Sequence, residues 1–264
     1  MYDHIDMPAP WRYTSCDMTV LKKNGIPLYH QLKEIFEEHI ASGEWAPGEM
    51  IPNELELCQQ YGVSRGPVRQ ALDRLVQEGR VSRKQGKGTI VLPPKIEGEL
   101  AGFYSFTTLI EQKGLRHSAR TLSFERLAAA GSPARHLELA PDASIYKIRR
   151  LRLANDEPLI LETLYLPEAV CPGLRRDDLA AAPLYTLMSN QYGVSLLRAR
   201  QFFEPAIADP YEAEILDLQP GAPVLFLQNI TYSQGNRPVV LSRAIMRGDR
   251  VRYLVELNQP ITFA

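Results

Sequence analysis

Two sets of arginines in this chain of 264 residues have spacings that carry chemistry. Arg65 and Arg69 are four apart, which in a helix puts both guanidinium groups on one face. A guanidinium presented this way grips a guanine edge through two parallel hydrogen bonds or clamps a phosphate. Arg80, Arg83, Lys84 and Lys87 follow, the last within Gln85-Gly86-Lys87-Gly88-Thr89. A small-residue hairpin tip carrying lysine can enter a minor groove that a bulky one cannot. Residues 64–87 hold seven Lys and Arg against Asp73 and Glu78, whereas residues 25–63 hold only Lys33 against seven acids. The whole-chain charge of −1 hides this contrast, and phosphate binding answers to the patch rather than the total.

The second set lies in Tyr146–Leu153. Arg150 and Arg152 are two apart, so a strand would place them on one face, about 7 Å apart along the chain. If Leu153 pairs with Leu159 across the turn Ala154–Pro158, Arg150 falls opposite Glu162. Two chemistries fit this pattern. One is a cross-strand ion pair on a wet face. The other is an anion site in which Glu162 orients an arginine or takes a ligand hydroxyl. Ser105-Phe106-Thr107, at the start of a helix, would add backbone N–H donors that favour negative charge.

The elements that must position these residues are legible from period and caps. Leu28, Leu32, Ile35, Phe36, His39 and Ile40 share a helical face between Pro27 and Gly43. Asn53 with Glu56 forms a capping box for the helix Glu54–Tyr61, which stops at Gly62. Ser64 caps the next helix, Pro67 sits in its first turn, and Val68, Ala71, Leu72 and Leu75 form its buried stripe. Val81–Gln85 and Thr89–Leu92 read as strands around the glycine tip. Two short helices joined by Tyr61-Gly62-Val63-Ser64, then a basic hairpin, predict a winged helix-turn-helix over residues 25–92 whose second helix enters a major groove. Ser64, Arg65, Gly66 and Arg69 at that helix start, with Arg83, Gln85, Gly86, Lys87 and Gly88 in the wing, are the predicted DNA contacts.

Pro93-Pro94 opens a predicted linker, 93–99. The remainder, 100–264, reads as helices at 105–114, Ser132-Pro133, Leu184–Tyr192 and Asp209–Pro220. These mix with strands Ile145–Leu153, Leu159–Tyr165, Val224–Tyr232, Val239–Met246 and Val251–Leu257. The pattern implies an antiparallel α+β domain. Residues 1–24 show no period and are expected to be disordered. They also lack the apolar core of a secretory signal, and no apolar run reaches the length of a membrane span, so a cytoplasmic protein without membrane contact is expected. Cys16, Cys58 and Cys171 are odd in number and widely spaced, and no two histidines stand three or four apart, which argues against a disulfide framework or a zinc site. No cofactor is expected. Gly86-Lys87-Gly88-Thr89 lacks the order of a nucleotide-binding phosphate loop.

Pro27-Leu28-Tyr29, Gly43-Glu44-Trp45, Pro47-Gly48, Pro52-Asn53-Glu54, Gly62-Val63-Ser64-Arg65, Val68-Arg69-Gln70-Ala71-Leu72 and the Gln85–Thr89 tip resemble the reader head of the GntR superfamily. Residues 102–256 resemble the UTRA effector domain of its HutC subfamily, through Arg150-Leu151-Arg152-Leu153, Glu157-Pro158-Leu159, Cys171-Pro172-Gly173-Leu174, Pro183-Leu184-Tyr185, Gly221-Ala222-Pro223 and Arg247-Gly248-Asp249-Arg250. The resemblance implies base and phosphate contacts from Arg65 and Arg69, and wing glycines in the minor groove. It implies a second domain with the fold, but not the activity, of chorismate lyase, and a homodimer on an inverted repeat of double-stranded operator DNA. In sugar-phosphate-sensing relatives, residues matching Arg150, Arg152, Glu162 and the helix start near Phe106 hold the ligand, and Tyr185 joins the candidate effector set. The chain departs from the family pattern at Asn53, where serine is usual, at Gly66-Pro67, at Leu55, and at Pro183, which replaces a ligand-binding serine. Val240 and Met246 stand where relatives often have glutamate and tyrosine, so the far end of the pocket is expected to be apolar.

The expected function is a transcriptional repressor released from its operator by a small anionic metabolite, whether phosphorylated, phosphonate or carboxylate. An enzyme related to chorismate lyase is the alternative class, and the sequence offers it no nucleophile–base pair. A ligand-independent DNA binder is the third.

Overall fold

The computed structural model describes residues 25–84, 88–99 and 106–256. The tail 1–24, Gln85, Gly86, Lys87 and Ser105 lie outside the described residues. The chain divides into two compact units, the first ending at Val91 and the second holding everything from Leu92, with residues 77–80 joined to it.

In the first unit, α1 (Leu28–Ala41), α2 (Glu54–Tyr61) and α3 (Arg65–Gln77) precede a hairpin of β1 (Val81–Lys84) and β2 (Gly88–Val91). The Asn53 side chain accepts from the Leu55 and Glu56 amides, and the Glu56 carboxylate takes the Asn53 amide in return, so α2 starts where three otherwise orphaned donors are satisfied. Gly62 ends α2 at φ 65°, a left-handed backbone that a β-carbon would strain. That reversal lets Leu57 of α2 and Val68, Ala71, Leu72 and Leu75 of α3 meet Leu32 and Phe36 of α1 in one core, closed by Val81 and Val91 of the hairpin. The apolar stripe of α3 is spent on this core, which leaves its Arg65, Gly66 and Arg69 exposed.

The second unit is built on a six-stranded antiparallel sheet. Its strands are β4 (His117–Ala128), β5 (Ser144–Ala154), β6 (Glu157–Pro167), β7 (Leu196–Ile207), β8 (Pro223–Ser233) and β9 (Pro238–Arg247), in the order β4-β5-β6-β9-β8-β7. Helices α4 (Phe106–Gln112), α5 (Gly131–His136), α6 (Asp178–Ala181), α7 (Leu184–Asn190) and α8 (Pro210–Leu216) fill the connections. Asp209 caps α8 in a second reciprocal box with Glu212, with Pro210 in its first turn. Sequence patterning misses β4 and β7. Both are edge strands, and β7 is exposed at nearly every position, so neither shows the alternation that a half-buried strand writes into its sequence.

Residues 93–99, expected to be a linker, belong instead to the second unit. Ile96–Glu99 form β3, which pairs in parallel with β10 (Val251–Leu254). Arg250 donates to the Pro93 carbonyl at 3.2 Å, and Lys95 to that of Gly248 at 2.7 Å. Arg250 is held in turn by Glu157, at 2.9 and 3.1 Å. The prolines do break the chain, but the next residues find a partner strand far along the sequence, which no local turn signal announces. No helix among the described residues is long and apolar enough to cross a membrane.

Candidate functional site

Each unit carries one constellation. On α3, Arg65 and Arg69 lie exposed at the N-terminal end beside Ser64 and Gly66, and no described acid pairs with either arginine. This is the end of a recognition helix that meets base edges in a helix-turn-helix. Arg83 is placed differently. Its guanidinium pairs with Asp73 of α3 and, at 3.4 Å, with Glu54 in the first turn of α2. These pairs tie the wing to the two helices, and the Arg83 side chain remains exposed. The wing register brings Lys84 opposite Gly88, whose φ of 103° only glycine adopts readily.

In the second unit, a cavity of about 1450 Å³ lies over one face of the sheet, between β4, α4, the α6–α7 segment and the β3–β10 pair. Strand register brings its polar floor together. Arg150 of β5 pairs with Glu162 of β6, as the sequence spacing predicts. The turn achieves this with a bulge, Leu153 pairing with Pro158 while Arg152 pairs with Ile160. The wet-face reading fails here. Arg150, Arg152 and Glu162 are 7–9% exposed. Arg150 Nη2 donates to Glu162 Oε2 at 2.6 Å, and Ser242 of β9 donates to the other oxygen at 3.1 Å. Arg152 Nη1 stands 3.9 Å from the same carboxylate, a much looser pairing.

Arg152 is held instead by neighbours that carry no charge. Its Nη2 donates to Thr107 Oγ1 of α4 at 2.7 Å, and its guanidinium lies 4.8 Å above the centre of the Phe106 ring. His117 Nε2 is 3.3 Å from the same nitrogen. Burial, then the Arg152 and Arg150 charges, push His117 down to about 4, so at neutral pH it is an uncharged acceptor. Burial works to raise the Glu162 carboxyl, but the charges of Arg150 and Arg152 outweigh it and hold Glu162 below its usual range. Burial lowers Arg152 to about 10, still protonated at neutral pH. The floor therefore holds two cations against one anion. Both arginine Nε donors are buried without a partner among the described residues.

Most of the expected effector residues meet here: Phe106, Thr107, Arg150, Arg152, Glu162, Tyr185 and Met246 all line the cavity. Thr107 contributes its hydroxyl rather than a helix-end amide, and α4 is only seven residues long. Val240 does not line the cavity. It is fully buried beneath α7, packed with Tyr146, Leu166, Leu184 and Met188, so the expectation of an apolar far end loses half its basis. Asn229, Thr231 and Ser242, which the sequence did not single out, form a buried polar group on the same face. Only the register of β8 and β9 brings them there, and neither strand carries a local signal for it.

Residues 112–252 match the UTRA domain, and residues 28–91 match the bacterial regulatory proteins of the gntR family. The HTH-type transcriptional repressor NagR of Bacillus subtilis is 35% identical over 237 residues, covering 90% of this chain and 97% of that protein. The histidine utilization repressor of Pseudomonas putida is 28% identical over 246 residues, covering 93% and 97%. Among solved structures, PhnF from Mycobacterium smegmatis superposes with a TM-score of 0.61 at 26% identity, over 89% of this chain and all of that one. A reader helix with exposed arginines, joined to a UTRA domain and matched along nearly its whole length by named repressors, places this chain in the GntR family, HutC branch: it is a DNA-binding transcriptional regulator.

Proposed function

We propose that this regulator is a homodimeric repressor that releases an inverted-repeat operator when a small anionic metabolite enters the cavity of its second unit. The observation that carries this reading is the pair of buried arginines whose Nε donors have no described partner and whose two charges face one carboxylate. Two neighbouring guanidinium groups repel, and buried charge without a partner is costly. A phosphate, phosphonate or carboxylate relieves both at once and gains charge-assisted hydrogen bonds. We read the cavity as a binding site rather than a catalytic one, because His117 spends its acceptor nitrogen on Arg152 and is held far from the range of a useful general base. Dimerisation through the second unit is supported by β7, an edge strand that leaves Leu197, Phe202 and Ile207 exposed.

The test is calorimetry with inorganic phosphate and with phosphonate and carboxylate anions. Losing a hydrogen-bonded charge is worth about 1.5–3 kcal/mol. Arg152→Ala is therefore expected to weaken the best anion by about tenfold or more. Equal binding by wild type and variant would remove the anion assignment and leave the DNA-binding reading intact.

A further inference from the structure

The arginine floor accounts for one end of a ligand, and a second polar group lies across the same sheet face. The register pairs Arg150 with Glu162, Glu162 with Ala244, and Ala244 with Leu227, so these four form one row. The next row on that face runs Ile148, Leu164, Ser242, Asn229. Asn229 thus sits two strands and one row from Glu162, roughly 12 Å away between backbones at ordinary strand spacing. Ser242 stands between them with its hydroxyl on Glu162.

Asn229 is 8% exposed and lines the cavity. Its amide nitrogen donates to Thr231 Oγ1 at 3.1 Å and to Tyr185 OH at 3.4 Å. Those two hydroxyls are 3.1 Å apart and bond each other. Thr231, fully buried, and Tyr185, on α7, therefore fix the amide on its nitrogen side. Its carbonyl Oδ1 is buried without a partner among the described residues. Buried acceptors are nearly always paired, and one left over on a cavity wall marks a place for a donor from outside.

We propose that Asn229 is a specificity residue that reads a hydroxyl at the end of the effector away from its anionic group. The proposal rests on the anion reading above and adds that the effector is hydroxylated at its far end rather than alkyl. An aliphatic ligand of the same length would bury the carbonyl unpaired, which the site penalises. A hydroxyl satisfies it, and the surrounding Tyr185, Thr231 and Ser242 supply polar neighbours.

The experiment is calorimetry on the full chain with three probes: inorganic phosphate, n-hexyl phosphate and 6-hydroxyhexyl phosphate. The last two share head group and length and differ by one terminal hydroxyl. Wild type is expected to bind the hydroxylated ester about tenfold more tightly. Asn229→Leu is expected to abolish that preference while holding inorganic phosphate within twofold of wild type. Asn229→Ser, which buries no bulky apolar branch beneath Tyr185, gives the same loss of preference and serves if the leucine variant does not fold. Equal binding of the two esters by wild type, or a preference that survives both substitutions, overturns the assignment while phosphate binding stands. Failure of wild type to bind phosphate at all removes the anion site and this inference with it.

Discussion

Arg65 and Arg69 are legible from sequence because helix spacing puts them together on one flank of the stripe Val68, Ala71, Leu72 and Leu75, and the structure buries those four and exposes the arginines. Arg69→Ala is expected to weaken operator binding by about 1–3 kcal/mol, read as a mobility shift on a duplex selected from a random pool. Arg83 has partners that residue type does not announce. A basic residue in a basic hairpin reads as a phosphate contact, and its exposed guanidinium also pairs with Asp73 and Glu54. Pairs made between elements have no period to betray them. Val240 fails for a related reason, since its strand parity does place it on the cavity face, but a helix lies over it.

Elements with strong local codes are read well and those without are not. The capping box at Asn53, the left-handed Gly62 and the capped α8 each close locally within a few residues, so their sequence signals suffice. Strand β3 is the opposite case, because its parallel partner β10 lies at the far end of the domain. Its glycine is under a tight constraint. A β-carbon on Gly98 would stand 2.9 Å from Cε1 of Tyr253 and 3.1 Å from Cδ2 of Leu109. Gly98→Val must therefore push both side chains aside or loosen the ladder. It is expected to lower stability by about 1–3 kcal/mol in chemical denaturation, the usual range for overpacking. An unchanged midpoint would mean that β3 is not held as the ladder implies. Because Glu97, Gly98 and Tyr253 also line the cavity, the segment at the start of the second unit is part of the cavity wall.

At the scale of the whole molecule, one reader helix spans too few bases to find a site in a genome, and a two-fold pair of heads doubles the reading length. Light scattering is expected to give twice the chain mass at micromolar concentration, and a monomer with and without operator would oppose the assembly. Release requires the anion to favour an arrangement that cannot hold both half-sites, since a ligand that binds two states equally shifts neither. The most direct test is fluorescence anisotropy of the operator complex, titrated with 6-hydroxyhexyl phosphate at constant ionic strength for wild type and Arg152→Ala. Without the ester the two proteins should bind operator equally. With it, wild type should dissociate at a concentration at least tenfold below the variant. Parallel release of both proteins, or release of neither, would contradict an anion-operated repressor.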